Sequence, residues 1–397
     1  LAAVKSRRSV KMKVQPRSSG GPFDMAFFGD DSVRITGTCL ADSYDSSVGS
    51  YGADNQAENC DIGTNGSGIT VTGSTQIKGD VETFGSNAGK ISITGSGTID
   101  GNISTRGTNG TITITGSRTI NGDVSTTGTT SSTISITGSE TINGNLYASG
   151  TSSGAITITG TAHVTGNAAT GPGGTVTQTP QGLIAGNITH DQDPETPEPE
   201  KELPSVEVPS SLTGLAYGVN GLHTDGLWTK TGSGPADPIP GGNWKLKRIK
   251  LTGSSSLTIG TEGMETNIYL TGDTGNSILQ TGSTIITCLG KVTFYVDANV
   301  RSSGSGIWNQ NNAPPNLLIY GTPTCSDVKL TGSTAFYGAV YAPSADMHVT
   351  GSNASYGSFI GKTISATGTV GFHYDEALRN VPGSTPLGYA VVYWQEK

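Results

Sequence analysis

Apolar and polar positions alternate in short bursts along most of this chain, and the bursts recur. The stretch ITITGSRTINGDVSTTG at 112–128 has close copies at 91–107, ISITGSGTIDGNISTRG, and at 134–150, ISITGSETINGNLYASG. Ile112 and Ile114 stand two apart with Thr113 between them. That is the period of a strand with one buried face, not the 3.6 period of a helix, and β-branched residues favour the same state. The Thr-Gly glycine of each copy falls at Gly73, Gly95, Gly116, Gly138 and Gly160, in steps of 22, 21, 22 and 22. A fixed period of this size marks a solenoid.

Aligned on those glycines, the aliphatic residues fall into columns. One reads Ile69, Ile91, Ile112, Ile134, Ile156, and the next Val71, Ile93, Ile114, Ile136, Ile158. A third reads Ile77, Ile99, Ile120, Ile142, Val164, and a looser fourth Val81, Ile103, Val124, Leu146, Ala168. If one copy makes one coil, these side chains point inward and stack on coils ~4.8 Å away. Burying each contributes about 1.5–3 kcal/mol, so a lone coil cannot fold and the stack can. Gly and Asn suit the corners, while outward Thr and Ser avoid charge repulsion between stacked copies. The pattern predicts an all-β fold, a parallel β-helix.

The chain divides by vocabulary. After an arm at 1–22, a β-helix with coils of about 22 residues is expected over 23–189, opening on an atypical coil, VRITGTCLADSYDSS at 33–47. Residues 190–211, HDQDPETPEPEKELPSVEVPSS, are rich in Pro and acid; they predict an extended, semi-rigid linker, and their acids lack the spacing of an EF-hand. From 212 the Thr-Gly vocabulary returns with aromatics added. The steps from Gly332 to Gly351 and Gly368 shorten to 19 and 17, so 212–397 reads as a second β-helical domain with less regular coils. HYDEALRN at 373–380 is expected to be the one helical turn, capping the last coil as solenoid ends require. GYAVVYWQ at 388–395 is expected to be a final strand. The fold class is thus two consecutive β-helical segments joined by a Pro-rich linker.

Charge sharpens this picture. Only 14% of residues are charged, against 59 glycines, which argues for tight turns and against a solvated disordered polymer. No apolar stretch of about 20 residues exists to span a bilayer. Six of the 23 basic residues, Lys5, Arg7, Arg8, Lys11, Lys13 and Arg17, sit in the arm, leaving 17 against 31 acidic residues in the body. An acidic body is unlike a nucleic-acid binder. In the arm, Val10, Met12 and Val14 alternate with Lys11 and Lys13, a strand suited to addition onto the sheet edge of a neighbouring copy. The chain begins LAAVKSRRSV without Met, which suggests that a leading segment has been removed.

The four cysteines form no Cys-x-x-Cys motif. Cys39 and Cys60 lie 21 residues apart, one period, and are expected to stack within bridging distance. Cys288 and Cys325 lie 37 apart, roughly two of the shorter coils, and are expected to form a second bridge in an oxidising compartment.

Candidate chemistry is sparse. β-helical enzymes that cleave polysaccharides need clustered carboxylates or basic residues along one face. Asp80, Asp100 and Asp123, with Asn102, Asn145 and Asn167 nearby, read instead as corner residues bonding their own backbone. His163, His190, His223, His348 and His373 are scattered; His373, Tyr374, Asp375 and Glu376 form the densest cluster and read as an end-cap. No nucleophile elbow, P-loop or metal motif occurs, so the expectation is a protein that is not an enzyme and takes no cofactor or metal. Tyr337, Tyr341, Tyr356 and Phe359 are candidates for an aromatic carbohydrate face, with core packing the preferred role. Sequons stand at Asn65, Asn102, Asn109, Asn187 and Asn353, candidate glycosylation sites on a surface protein.

Several stretches carry a resemblance to a known family. IKLTGSSSLTIG at 249–260, IYGTP at 319–323, FYGAVYAPSADMHVTGSNASYGSFIGK at 336–362 and FHYDEAL at 372–378 resemble the C-terminal domain of bacterial surface proteins with a PilX-type, pilin-like N-terminus. DSYDSS…GSYG at 42–52 and the coils after it resemble an earlier part of the same proteins. The resemblance covers most of 23–380, with YGAVYAP and HYDEAL its specific motifs. It implies a β-helical fold and a cell-surface location rather than an activity. The hydrophobic pilin-like helix is absent ahead of AAVKSRRS, so membrane attachment through such a segment is an expectation only. The coils also look like those of bactofilins, by fold-level analogy.

These readings lead to one functional expectation: a structural subunit of an extracellular filament or surface fibre, assembling with copies of itself head-to-tail through the β-helix ends and the N-terminal strand. The alternatives are a minor pilus-associated adhesin, a carbohydrate-binding or carbohydrate-cleaving β-helix, and a bactofilin-like scaffold. Candidate partners are the chain itself and surface polysaccharide or other cells; nucleic acid is not expected.

Overall fold

A computed structural model describes residues 10–16, 22–85, 89–107, 110–127, 132–192, 197–351, 353–368, 371–382 and 389–396. The basic residues Lys5, Arg7, Arg8 and Arg17 and the sequon Asn109 lie outside them. The repeats wind into a parallel β-solenoid of about 13 turns. In a regular coil such as Gly68–Lys78 followed by Val81–Thr83, the strand bends sharply at Gly73, whose φ is 109°. Gly73, Gly95, Gly116, Gly138 and Gly160 all share this left-handed backbone and stack in register, which only glycine tolerates without strain.

Each of the four aliphatic columns expected from the sequence is present, and its members are buried. The first extends much further than the repeats. It starts at Trp228 and runs through Ile249, Ile278, Val300, Val328, Met347 and Ile364. Ile364 then pairs with Val33, and the column continues through Ile69, Ile91, Ile112, Ile134 and Ile156 to Val176. These 14 residues make 13 steps, so the stack is ~62 Å long at ~4.8 Å per step.

The two β-helical segments therefore form one continuous rod, with the chain's second half below its first. The strand Phe27–Gly37 lies on Ser355–Gly368 in parallel register, Phe27 opposite Phe359 and Gly37 opposite Gly368. Leu40–Tyr44 lies likewise on Phe372–Asp375. The Phe27 ring stacks on Phe359 at 5.6 Å and meets Phe372 edge-on at 5.0 Å. HYDEAL accordingly does not cap an end. Its coil is covered by Leu40–Tyr44 in mid-rod, and the short helix Glu376–Asn380 carries the chain out sideways. Nor is it the one helical turn: Ser210–Thr213 and two further 3-10 turns, Ala53–Asn55 and Pro314–Asn316, occur as well.

The rod's actual ends differ from each other. At the top, the inward column of Ile158 terminates in Gln178, whose Oε1 accepts from the Leu183 and Ile184 amides at 2.8 and 3.2 Å. At the bottom, residues 215–226 fold under the last coil, burying Val219 against the core that contains Trp228.

Stacking in this order obliges the linker to travel the whole rod, from the top coil near Thr170 to the bottom coil at Lys245. Its 22 residues span ~68 Å as polyproline II, at ~3.1 Å each, close to the ~62 Å required. The linker is a strap laid along one flank. The Gln192 amide donates to Thr170 O (3.1 Å), and Glu198 exchanges backbone bonds with Arg106 and Gly85. Lys201 is clamped by Asn65, which accepts from its amide and donates to its carbonyl, both at 2.8 Å. The Tyr341 hydroxyl donates to Pro204 O, and at the bottom Lys245 Nζ donates to Thr213 O. Val206 is buried against Phe23, Met25, Phe28, Tyr341 and Leu378, an apolar patch shared by both halves.

The chain enters the solenoid at Phe23 and leaves after Asn380 on the same side of the waist: the Tyr374 hydroxyl donates to Phe23 O at 2.6 Å, and Leu378 packs in the cluster that holds Phe23. This corrects the expectation for residues 10–14. Val10, Lys11, Met12, Lys13 and Val14 belong to the strand Val10–Pro16, and its antiparallel partner is the chain's own Tyr389–Glu396. Because both tails emerge together, the nearest edge available to each is the other.

Candidate functional site at the junction of the two halves

The densest group of chemistry-bearing side chains lies where the halves meet. The coil Leu40–Tyr44 is followed by a surface insertion, residues 45–59, before the next coil begins. Along Leu40–Tyr44 and Phe372–Asp375 alternate side chains face inward, with Ala41, Phe372 and Tyr374 in the core. Asp42, Tyr44, His373 and Asp375 consequently face out, and would be solvent-exposed on a bare coil. All four are buried, because the insertion closes over them.

Asp42 is the hub. One oxygen lies 2.5 Å from His373 Nδ1, and the other accepts from the Tyr51 hydroxyl at 2.8 Å, which itself accepts from Gln56 Nε2 at 2.8 Å. The His373 ring packs against both Tyr51 and Tyr356, with centroids at 3.9 and 4.7 Å; these two tyrosines also touch each other at 5.5 Å, and Tyr337 stacks parallel on Tyr356 at 4.2 Å. Beside this pair, Glu376 Oε1 accepts from Ser43 Oγ and Asn59 Nδ2, both at 2.8 Å. Asp375 Oδ1 accepts from the Ser46 and Ala377 amides, tying the insertion to the start of the exit helix.

An Asp–His pair invites a catalytic reading, but the geometry makes it a fastening. Nδ1 is taken by Asp42, the ring is buried against Tyr51 and Tyr356, and a Cβ placed on Gly371 would lie 2.4 Å from Nε2. Backbone therefore covers the one remaining nitrogen, and proton transfer to a substrate needs that nitrogen within hydrogen-bond reach. Burial holds the Asp375 carboxyl above its ordinary range, against bonds from Ser46 and Ala377 that pull it down.

The other residues singled out in the sequence fall apart in space. The four cysteines are free, buried thiols, which corrects the expected bridges. Cys39 aligns with Thr75, because the Gln76 amide donates to Cys39 O, whereas Cys60 lies against Gly79. The insertion 45–59 lengthens this coil, so 21 residues are not one turn here and the two thiols occupy different columns. Cys288 pairs with Ile259 and Asn309 along a strand, while Cys325 sits in the turn after Leu317–Gly321, against Gly321. Burial pushes the Cys39 thiol up to about 11 and Cys288 and Cys325 up to about 12, so none is a ready nucleophile.

Asp80 and Asp123 do line one corner column, which reads Asp61, Asp80, Asn102, Asp123, Asn145, Asn167 and Asn187. From Asp61 to Asn167 each side-chain Oδ1 accepts from the next coil's amide, at 2.7–3.0 Å. They bond the neighbouring coil rather than their own backbone, and they are structural. Asp100 belongs to a second ladder, accepting from Asn121 Nδ2 at 2.6 Å.

Among the sequons, Asn65 is buried in the strap clamp and Asn102 is committed to the ladder, so neither suits a glycan. Asn187 and Asn353 are exposed. Tyr341 and Phe359 are buried, as core packing required, whereas Tyr337 and Tyr356 are half-buried beside His373. Sequence reasoning missed the partners of His373. Asp42 and Tyr51 lie more than 300 residues away in the chain, and no local motif links them.

Four carboxyls carry a pH signature. Asp61, Glu82, Glu140 and Asp375 are all held above their ordinary values, burial being the largest cause in each. Each binds its proton more tightly folded than unfolded, so unfolding releases protons and stability rises as pH falls. The gain is complete below the unfolded carboxyl pKa and is lost as pH climbs through the raised folded values. Thermal melts across mildly acidic pH should show the rod more stable than at neutrality, with a shallower slope in Asp61→Asn and Asp375→Asn. A melting temperature that drops steadily on acidification from neutral pH contradicts this.

The profile of a domain of unknown function (DUF7305) matches residues 235–381, a span that ends where the chain leaves the solenoid. No curated protein and no solved structure matches the chain.

Proposed function

We propose that this chain is a structural, non-enzymatic rod of the cell surface, held at its waist and displaying its flanks to polysaccharide or to other cells. The observation that carries this reading is the departure of both tails from one point at mid-rod, paired there as a two-stranded ribbon. A tether through that ribbon would hold the solenoid crosswise, with both ends and the flanks clear of the attachment point. The flank opposite the ladder corner supports display: one outward column of its regular coils is made of uncharged hydroxyls, Thr72, Thr94, Thr115, Thr137 and Thr159. The resemblance to pilin-tethered surface proteins agrees with this arrangement and makes pilus-associated display the reading preferred over strand donation, because the donor strand is already paired within the chain.

The test is surface shaving of intact cells that carry the protein, together with retention of the purified rod, immobilised through its N-terminus, on surface polysaccharide and on whole cells. Release of solenoid peptides and measurable retention are expected. Solenoid that stays inaccessible on intact cells while lysis exposes it would sink the proposal.

A further inference from the structure

We infer that the junction between the two halves is also an assembly surface, and that its partner is the same junction of a second copy of this chain. The inference rests on the fold and stands or falls separately from the surface role. Nothing covalent crosses the junction itself; the strap is the covalent link between the halves, and the ribbon of Val10–Pro16 with Tyr389–Glu396 pairs their tails. Coil Phe27–Tyr44 reads its neighbour through parallel backbone pairing and the Phe27, Phe359 and Phe372 rings. An identical coil 355–375 from another copy offers the same groups in the same register.

What selects the chain's own partner is the strap, with the ribbon of the two tails beside it, and the strap is stretched. A flexible chain of 22 residues has a root-mean-square end separation of about 26 Å, taking ~5.5 Å times the square root of length. Pro-rich stiffness extends this, yet closing the rod still demands ~62 Å, near the ~68 Å polyproline limit. Effective concentration falls steeply when a linker's natural length is far from its span. Intramolecular closure is therefore weakly favoured until the clamp at Asn65 and the patch around Val206 take hold. Before they do, an open half exposes aromatic rings and an unpaired strand edge, which recruit any complementary coil. Exchange leaves every contact of the junction unchanged, the condition for domain swapping. Reciprocal exchange gives a dimer of two side-by-side rods, and non-reciprocal exchange gives an open chain of rods.

The experiment uses Arg34 and Ser365, register partners across the junction on the outer surface, at a separation within the range for disulfides. Full-length Arg34→Cys and Ser365→Cys chains are mixed, unfolded, refolded together over a range of concentrations and oxidised. The expected result is a two-chain crosslink whose yield rises roughly in proportion to concentration, absent when the folded proteins are mixed without unfolding. The double variant, refolded dilute, should crosslink within one chain. In parallel, deleting residues 191–196 leaves a strap of 16 residues, at most ~58 Å even fully extended, and should shift a monomeric parent to dimers and larger species. If the single variants never crosslink at any concentration while the double variant closes internally, or the shortened chain refolds as an intact monomer, the inference is overturned.

Discussion

Gly37→Val should break the rod at its waist while leaving both halves wound. Gly37 sits at the corner column that runs from Gly351 and Gly368 into Gly73 and Gly95. Its φ is 124°, and a Cβ there would lie 2.1 Å from the Gly368 carbonyl oxygen. That oxygen belongs to a backbone held by pairing on both sides, so it cannot rotate away as a side chain would. The left-handed backbone costs a non-glycine residue about 1–2 kcal/mol, and overpacking adds about 1–3 kcal/mol or more. In a solenoid each coil answers mainly to its neighbours, so the damage concentrates between 27–37 and 359–368. Hydrogen exchange should lose protection there by an order of magnitude or more, while 91–93 and 112–114 keep theirs. Parent-like protection at Phe359–Gly368 would show that the corner tolerates the side chain.

Val206→Asp should release the strap. Val206 is 5% exposed in a patch that both halves build, with Phe28 from one and Leu318, Tyr320 and Tyr341 from the other. A carboxylate placed there has no cationic partner in the cluster, and burying an unpaired charge costs far more than undocking the segment that carries it. Undocking strips cover from Phe28 and Tyr341, and it pulls on the Asn65 clamp, whose two bonds are worth about 0.5–1.5 kcal/mol each. The ion pairs of Arg106 with Glu198 and of Lys201 with Asp24, together with the backbone bonds of Gln192 and Glu198, then hold the upper strap. A lysine- or glutamate-specific protease should cut at Lys201 or Glu202 many times faster than in the parent, with a lower melting temperature. Adding Asn65→Ala should leave almost no protection in the strap. Cleavage at the parent's rate in both variants would mean that the patch does not hold the strap.

The site at the junction shows how much of the chemistry was legible. HYDEAL stood out as a dense cluster, and its structural character was readable, but its position was not. A cap and a mid-rod joint present the same residues; what differs is whether another coil lies on top, and that coil is Leu40–Tyr44. The cysteine pairing failed for a related reason. Counting in periods assumes that every coil has the same length, and the insertion 45–59 breaks that count between Cys39 and Cys60.

By itself the sequence determined the coil: the inward columns, the glycine corners, the strand period and the extended character of 197–209 all follow from spacing and residue type, because neighbours along a solenoid repeat the same short-range geometry. Tertiary structure alone decided the order of the halves, the path of the strap, the pairing of the two tails and the enclosure of Asp42 with His373. Those depend on which coil faces belong together across hundreds of residues, and coil faces built from the same Ile, Val and Phe carry no label that a linear reading can see.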